Sequence, residues 1–267
     1  MLKSPHRGRV LVIAGSDSSG GAGIQADIKT ITMLRGYAAT AITAITVQNT
    51  MGVSAIHAAP VNIIAGQITA VLSDIGADCI KLGMLFSSEI INVIADTLDA
   101  LDYEGALVLD PVMIATSGDR LIDDEAIETL KARLLPRASV ITPNVPEAKV
   151  LIGSSLESEE DLLKAGQLLV GMGAKAALMK GGHLDSGKDI VDILVSEGRE
   201  QSWHGSRIDG DNTHGTGCTL ASAVATGLAQ GMPLGEAVER ARTFVRGCLI
   251  AAPDFGQGNG PMGHHLQ

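Results

Sequence analysis

The sequence predicts an α/β fold: a mainly parallel central sheet with helices on both faces, in a single domain over residues 1–267. Three observations carry this. Short apolar runs alternate with longer segments of helical period, the pattern of parallel strands joined by crossover helices. Polar and glycine residues recur just past those runs, and open α/β sheets bind ligands beyond the carboxyl ends of their strands. Finally, Asn212-Thr213-His214-Gly215-Thr216-Gly217-Cys218 precedes the small apolar run 220–225, which sets a glycine turn at a helix N-terminus.

Each element has its own signal. Residues 1–8 are polar and read as a loose arm, and 9–14 (RVLVIA) as a fully buried strand. A hydroxyl- and glycine-rich loop, 15–23, leads into a helix over 24–35 with Ile24, Ile28, Ile31 and Leu34 on one face and Gly36 as its C-cap. Segments 38–47 and 53–58 are strands with no helix between them, so about 37–58 is expected to stand off as a small β lid. Pro60 opens a helix to about 73. Strand 78–82, helix 88–100, strand 106–109, helix 123–134 and strand 139–142 follow, then the turn 143–147. Helix 158–171, strand 175–180 and a hairpin around Gly198 lead to the glycine turn and a last helix, 234–251. The glycine-rich tail is left unassigned, with His264-His265 solvated at the chain end.

Composition narrows the function. A hydrophobic share of 45% supplies a full core, and aromatics at only 2% make that core aliphatic. The net charge of −10 argues against nucleic-acid or acidic-membrane partners, although backbone amides bind phosphate even on an acidic protein. Cys79, Cys218 and Cys248 are isolated, so neither a disulfide framework nor a thiolate zinc site is expected. No apolar run reaches the ~18 residues of a membrane span, and the N-terminus has no signal-peptide pattern. A soluble cytoplasmic protein is expected.

At the glycine turn, free N–H groups and the helix dipole attract an anion, most often phosphate. Cys218 falls in the first helical turn, where the same field favours thiolate; the alternative is a small buried cysteine. Asp110, held by Pro111 after a buried strand, either organises Mg²⁺ and its waters or closes an Asp-Pro turn. Glu147 either orients metal waters or sits in the first turn of the helix after Pro146. Lys180 ends a buried strand and needs an anionic partner, a phosphate or a carboxylate. The Gln48 amide suits an aminopyrimidine edge or caps the next turn, and Met84 lies along a flat ring or fills the core. The run 182–188 has P-loop spacing but ends in Asp189 where Ser or Thr is required, and Gly171-Met172-Gly173 precedes a strand. Neither is a nucleotide motif.

Taken in order, several motifs resemble the hydroxymethylpyrimidine/phosphomethylpyrimidine kinases of thiamine biosynthesis, in the ribokinase-like superfamily. They are 14–27 (AGSDSSGGAGIQAD), Thr46-Val47-Gln48-Asn49-Thr50, Lys81-Leu82-Gly83-Met84, 109–113 (LDPVM), 142–147 (TPNVPE), 179–183 (MKGGH) and 213–218. The resemblance covers about 9–250. It implies ATP-dependent, Mg²⁺-assisted phosphorylation of a pyrimidine hydroxymethyl group and then of the monophosphate, by a homodimer. By likeness, Gly15, Asp27, Gln48 and Met84 surround the pyrimidine, and Asp110 and Glu147 serve the metal. Lys180 and the turn Thr213, Gly215, Thr216 and Gly217 hold the ATP phosphates, and Cys218 is the base. Most of the superfamily has Asp where this branch has Cys218, and the family often has Lys where this chain has Thr116. Rival readings are a pyridoxine or pyridoxal kinase, a carbohydrate kinase disfavoured by Cys218, and a nucleotide sensor without turnover.

Overall fold

A computed structural model describes residues 8–114, 121–184 and 189–265. The expected arm at 1–7, Thr116 and the end of the P-loop-like run lie outside these. The elements run β1 (Arg9–Asp17), α1 (Gly23–Met33), β2 (Tyr37–Asn49), β3 (Gly52–Ala58), α2 (Val61–Asp74), β4 (Cys79–Leu82), α3 (Ser88–Ala100), β5 (Ala106–Leu109) and α4 (Asp124–Arg133). They continue with β6 (Val140–Ile141), α5 (Val145–Ile152), α6 (Glu159–Gly171), β7 (Ala176–Lys180), β8 (Asp189–Ser196), β9 (Arg199–Ser206), α7 (Thr216–Ala229) and α8 (Leu234–Ile250). Gly198 turns the β8–β9 hairpin at φ 67°.

One sheet holds all nine strands in the order β3-β2-β1-β4-β5-β6-β7-β8-β9. Strands β2, β1, β4, β5, β6 and β7 pair in parallel, while the β2–β3, β7–β8 and β8–β9 pairings at the edges are antiparallel. The order reverses at β1, whose neighbours are β2 and β4, and ligands bind at such a switch point.

Alternation along the strands feeds two cores. Leu11, Ile13, Ile80, Leu82, Leu107 and Leu109 pack against α2, α3, α4 and α6. Val10, Val12, Cys79, Val108 and Val140 pack against α1, α7 and α8. Helix α7 is buried through Thr219–Gly227 because its small residues let neighbours approach. A Cβ on Gly227 would lie 2.6 Å from that of Ala237 on α8.

The structure corrects three expectations. The first part of 37–58 does not stand off: β2 pairs with β1 from Tyr37 to Thr46, while β3 pairs with Ala44–Asn49 and so runs on past the end of that ladder. Extended β-branched residues beside a parallel neighbour complete its ladder instead of leaving it. Arg35, not Gly36, takes the left-handed conformation after α1 (φ 65°), and the Gly36 N–H closes the turn on the Ile31 carbonyl. His264 is not solvated but buried, its Nε2 2.9 Å from the Thr219 hydroxyl, and His265 alone is exposed. The tail doubles back over α7: Gly260 accepts from the His214 N–H, and the Thr50 hydroxyl accepts from the N–H groups of Gln257 and Gly258. The turn at 143–147 also proves to be the opening of α5, capped reciprocally by Asn144 and Glu147.

Among the described residues no helix is long and apolar enough to cross a membrane.

The cap of α4 offers a test of local stability. The Asp123 carboxylate accepts from the Ala126 N–H at 2.8 Å. Asp123→Ala is expected to cost about 1 kcal/mol and lower the thermal midpoint by about 2–4 °C for a chain of this size, as read by scanning calorimetry.

Candidate active site

Helix α7 begins at the sheet's carboxyl end, and Gly215 explains how. It caps the helix at φ 82°, and a Cβ there would lie 1.9 Å from the Gly21 carbonyl oxygen. Only glycine allows both that conformation and that approach. First-turn N–H groups such as those of Gly217 and Cys218 lack intrahelical acceptors, and among the described residues no side chain caps the helix. A Cβ on Gly217 would lie 3.2 Å from Lys180 Nζ and 3.7 and 3.8 Å from the Asp110 carboxylate oxygens. The positive end of the helix thus faces a lysine and a carboxylate from two other strand ends.

Asp110 follows β5 and is almost fully buried. Its Oδ1 accepts from the Thr142 hydroxyl at 3.1 Å and from Lys180 at 3.2 Å. Its buried Oδ2 has no hydrogen-bond partner among the described residues, so it is open to a cation or a water. Glu147 lies 3.9 Å from the same lysine, and its Oε2 accepts from the Asn144 N–H. Burial pushes the Glu147 carboxyl up to about 7, against the attraction of Lys180 and with the help of Asp110. Burial favours neutral Lys180, but the two carboxylates outweigh it and raise its pKa. Both partners weighed for Lys180 are therefore compatible: carboxylates hold it now, facing an anion-binding turn.

This donor set fits Mg²⁺. Among the described residues no three acidic, His or Cys side chains gather as a cage. Mg²⁺ does not require one, since it usually keeps waters and phosphate oxygens and takes one or two carboxylates. The unpartnered Asp110 oxygen is the group it would satisfy.

The first loop forms the other wall. Met84, after β4, lies over Gly15, where a Cβ would stand 2.5 Å from the Met84 methyl carbon. Gln48 ends β2 half-buried; its Oε1 accepts from the Thr46 hydroxyl at 3.1 Å. Thr213 is exposed at the rim, and the Thr216 hydroxyl donates to its carbonyl at 2.7 Å. Asp27 has no open surface. It lies beneath the site, bonded to Lys81 and Ser222. An open depression of about 460 Å³ at the β2–β3 tip shares only Gln48 with these residues and is not lined by Asp110.

Cys218 is half-buried in the first turn of α7, yet it does not rest as thiolate. Burial pushes the thiol up to about 12; Lys81 and the Gly23 N–H oppose this, while Asp27 and Asp110 add to it. Desolvation and two nearby carboxylates outweigh Lys81 and the Gly23 N–H, so the thiolate expected from the helix dipole alone is not the resting form.

Two residues were missed. Asp17 and His214 meet at 2.8 Å, both buried, and tie the first loop to the glycine turn. His214 also lies 3.4 Å from the Gln48 amide nitrogen. The Asp17 carboxylate further accepts from Ser19, Gly21 and Ala22. Its signal was present in the sequence, an Asp before a Ser-Ser-Gly-Gly nest, but pairing with a residue 197 positions away was not.

A mainly parallel sheet reversing at β1, with a bare helix N-terminus over an acid–lysine pair, is the architecture of a ribokinase-like small-molecule kinase. Within that class the chain belongs to the phosphomethylpyrimidine kinase family, whose sequence pattern matches residues 17–263. It is similar to the hydroxymethylpyrimidine/phosphomethylpyrimidine kinase of Haemophilus influenzae, at 43% identity over 96% of each chain. It is 49% identical to the thiamine biosynthesis bifunctional protein of Geobacter sulfurreducens, covering 97% of this chain but only 53% of that longer protein. The crystal structure of an ADP complex of Bacillus subtilis pyridoxal kinase superposes with a TM-score of 0.89, at 33% identity over 97% of both chains.

The Asp17 cluster sets an acid limit. Burial alone would raise this carboxyl, but His214, Ser19 and backbone N–H groups hold it at about 2, below its ordinary 3.8. A depressed folded pKa stabilises above the unfolded value and loses that contribution as pH falls toward the folded one. Asp17→Asn should therefore lower the urea midpoint at neutral pH, and the gap from the parent should close as pH falls from about 4 to 2.

Proposed function

We propose that this chain transfers the γ-phosphoryl group of ATP to the hydroxymethyl group of 4-amino-5-hydroxymethyl-2-methylpyrimidine, and then phosphorylates the monophosphate to the diphosphate. The observation that carries this is the convergence of Asp110, Lys180 and Gly217 at the N-terminus of α7. Family membership and the names of the full-length relatives supply the substrate class.

Phosphoryl transfer depends mainly on positioning and on neutralising charge. The amides of the 215–218 turn receive phosphate oxygens, and the helix dipole adds to their attraction. Lys180 has partial surface beside Gly217, where it can exchange a carboxylate contact for a phosphate one. Asp110 and Glu147 would hold Mg²⁺, which when bound would neutralise charge on the ATP phosphates. Gly15, Met84 and Gln48 form a wall with a flat apolar side and one amide, suited to an aminopyrimidine edge. Asp27 supports that wall from beneath.

Cys218 receives the substrate's hydroxyl proton. Its thiol is neutral in the free protein, so the first step should accelerate as pH rises. The second acceptor is an already ionised phosphate and needs no base of this kind. Cys218→Ala should therefore slow the first step by about 10²–10⁴ and the second far less. Equal losses would make the cysteine a purely geometric residue.

The pyridoxal reading has one observation in its favour, the backbone match to the pyridoxal kinase; identity to the pyrimidine kinases is higher. One assay decides between them, following ADP and both phosphorylated pyrimidines, with pyridoxal in a parallel arm. Formation of both pyrimidine products at the higher kcat/KM supports the proposal. Turnover of pyridoxal alone, or ATP binding without product, overturns it. A cytoplasmic homodimer belongs to the same reading and rests on family likeness.

A further inference from the structure

Lys81 is one of the largest fully buried side chains in the protein. Along β4, Cys79 and Lys81 alternate with Ile80 and Leu82, so Lys81 points to the face covered by α1 and α7. Its ammonium lies 3.0 and 3.1 Å from the two carboxylate oxygens of Asp27 on α1. Asp27 Oδ1 also accepts from the Ser222 hydroxyl at 2.6 Å. Ser222 follows Cys218 by four residues on α7, and residues so spaced share one helix face. The triad therefore lies one turn below the thiol. Lys81 also reaches the site floor, since a Cβ on Gly83, next to Met84, would lie 2.9 Å from its Nζ.

A dry ion pair of this kind is a poor stabiliser. Removing two charges from water costs several kcal/mol, and an apolar pair of equal volume is often as good or better. Its placement beneath a reactive thiol gives it another use. Four charged groups bear on that thiol from neighbouring elements: Asp27 of α1, Lys81 of β4, Asp110 after β5 and Lys180 of β7. Lys180 is engaged by two carboxylates and faces the phosphate turn. Lys81 hydrogen-bonds the Asp27 carboxylate, with Asp110 acting on it at longer range, and Ser222 draws on that same Asp27 carboxylate.

We propose that Lys81, held by Asp27 and Ser222, is the positioning residue that supplies the counter-charge for the Cys218 thiolate during the first phosphorylation. This rests on Cys218 being the base. The thiolate takes the substrate's hydroxyl proton as that oxygen bonds to the γ-phosphorus. The bond from phosphorus to the β,γ-bridging oxygen breaks, ADP leaves with the electron pair, and the proton stays on sulfur. Lys81 keeps its own protons throughout and touches no reacting atom.

The test is alkylation of Cys218 by iodoacetamide across a pH series, with Cys218→Ala reporting background. The double variant Lys81→Met/Asp27→Asn removes the cation without stranding a carboxylate. Asp27 opposes the thiolate and Lys81 favours it more strongly, so the double variant should alkylate more slowly at a given mildly alkaline pH, by up to about tenfold, which corresponds to a one-unit rise in the thiol pKa. ADP binding should persist, and the first phosphorylation should slow more than the second. A purely structural role predicts the opposite, since loosened packing exposes the thiol and speeds alkylation. Unchanged or faster alkylation with ADP binding intact overturns the proposal. If the double variant does not bind ADP, Ser222→Ala decides: slower alkylation supports the proposal and an unchanged rate rejects it. Failure of the base role itself appears separately, as an unchanged first-step rate in Cys218→Ala.

Discussion

The close approach of the 212–218 turn to the first loop is the constraint on which the site depends. Gly215 meets the Gly21 carbonyl where no side chain fits, and the buried Asp17–His214 pair locks the same two segments together. This contact sets the start of α7. It aims the bare first turn at Lys180 and Asp110, which would otherwise be an ion pair at the end of a sheet. The tail adds a second tie, since Gly260 accepts from His214 and Thr50 accepts from Gln257 and Gly258. Sheet edge, glycine turn and chain end are thereby linked around one opening.

Charge around that opening is arranged in two layers. The upper layer is Asp110, Glu147 and Lys180, with one carboxylate oxygen unpartnered among the described residues and the Glu147 carboxyl raised to about 7 by burial. It is short of positive charge and suits a divalent cation. The lower layer is Asp27, Lys81 and Ser222, sealed and internally paired. Cys218 lies between them. Its high thiol pKa follows from burial together with the two nearby carboxylates, so its readiness as a base depends on the cations that offset them.

Much of this was legible in the sequence, because local rules govern it. Strand and helix periods placed the elements. Glycines before a small apolar run marked the α7 turn, and Asp110, Glu147 and Lys180 stood out at strand ends. What remained hidden was set by partners distant in sequence. Nothing near Tyr37 shows that β2 completes a ladder with β1 as far as Thr46. Lys81 sits in a recognisable Lys-Leu-Gly-Met motif, yet its burial against Asp27 and Ser222 needs three elements in place. The thiolate expectation failed for the same reason: the helix dipole is visible locally, whereas the desolvation and carboxylates that oppose it are not.

The central claim is that Asp110 and the α7 turn act together on the nucleotide's phosphates through a divalent cation. Calorimetric titration of ADP into the parent chain and Asp110→Asn, with and without Mg²⁺, tests it most directly. The account predicts that Mg²⁺ tightens ADP binding to the parent and that Asp110→Asn loses most of that gain while still binding free ADP. An equal effect of Mg²⁺ on both proteins would contradict it.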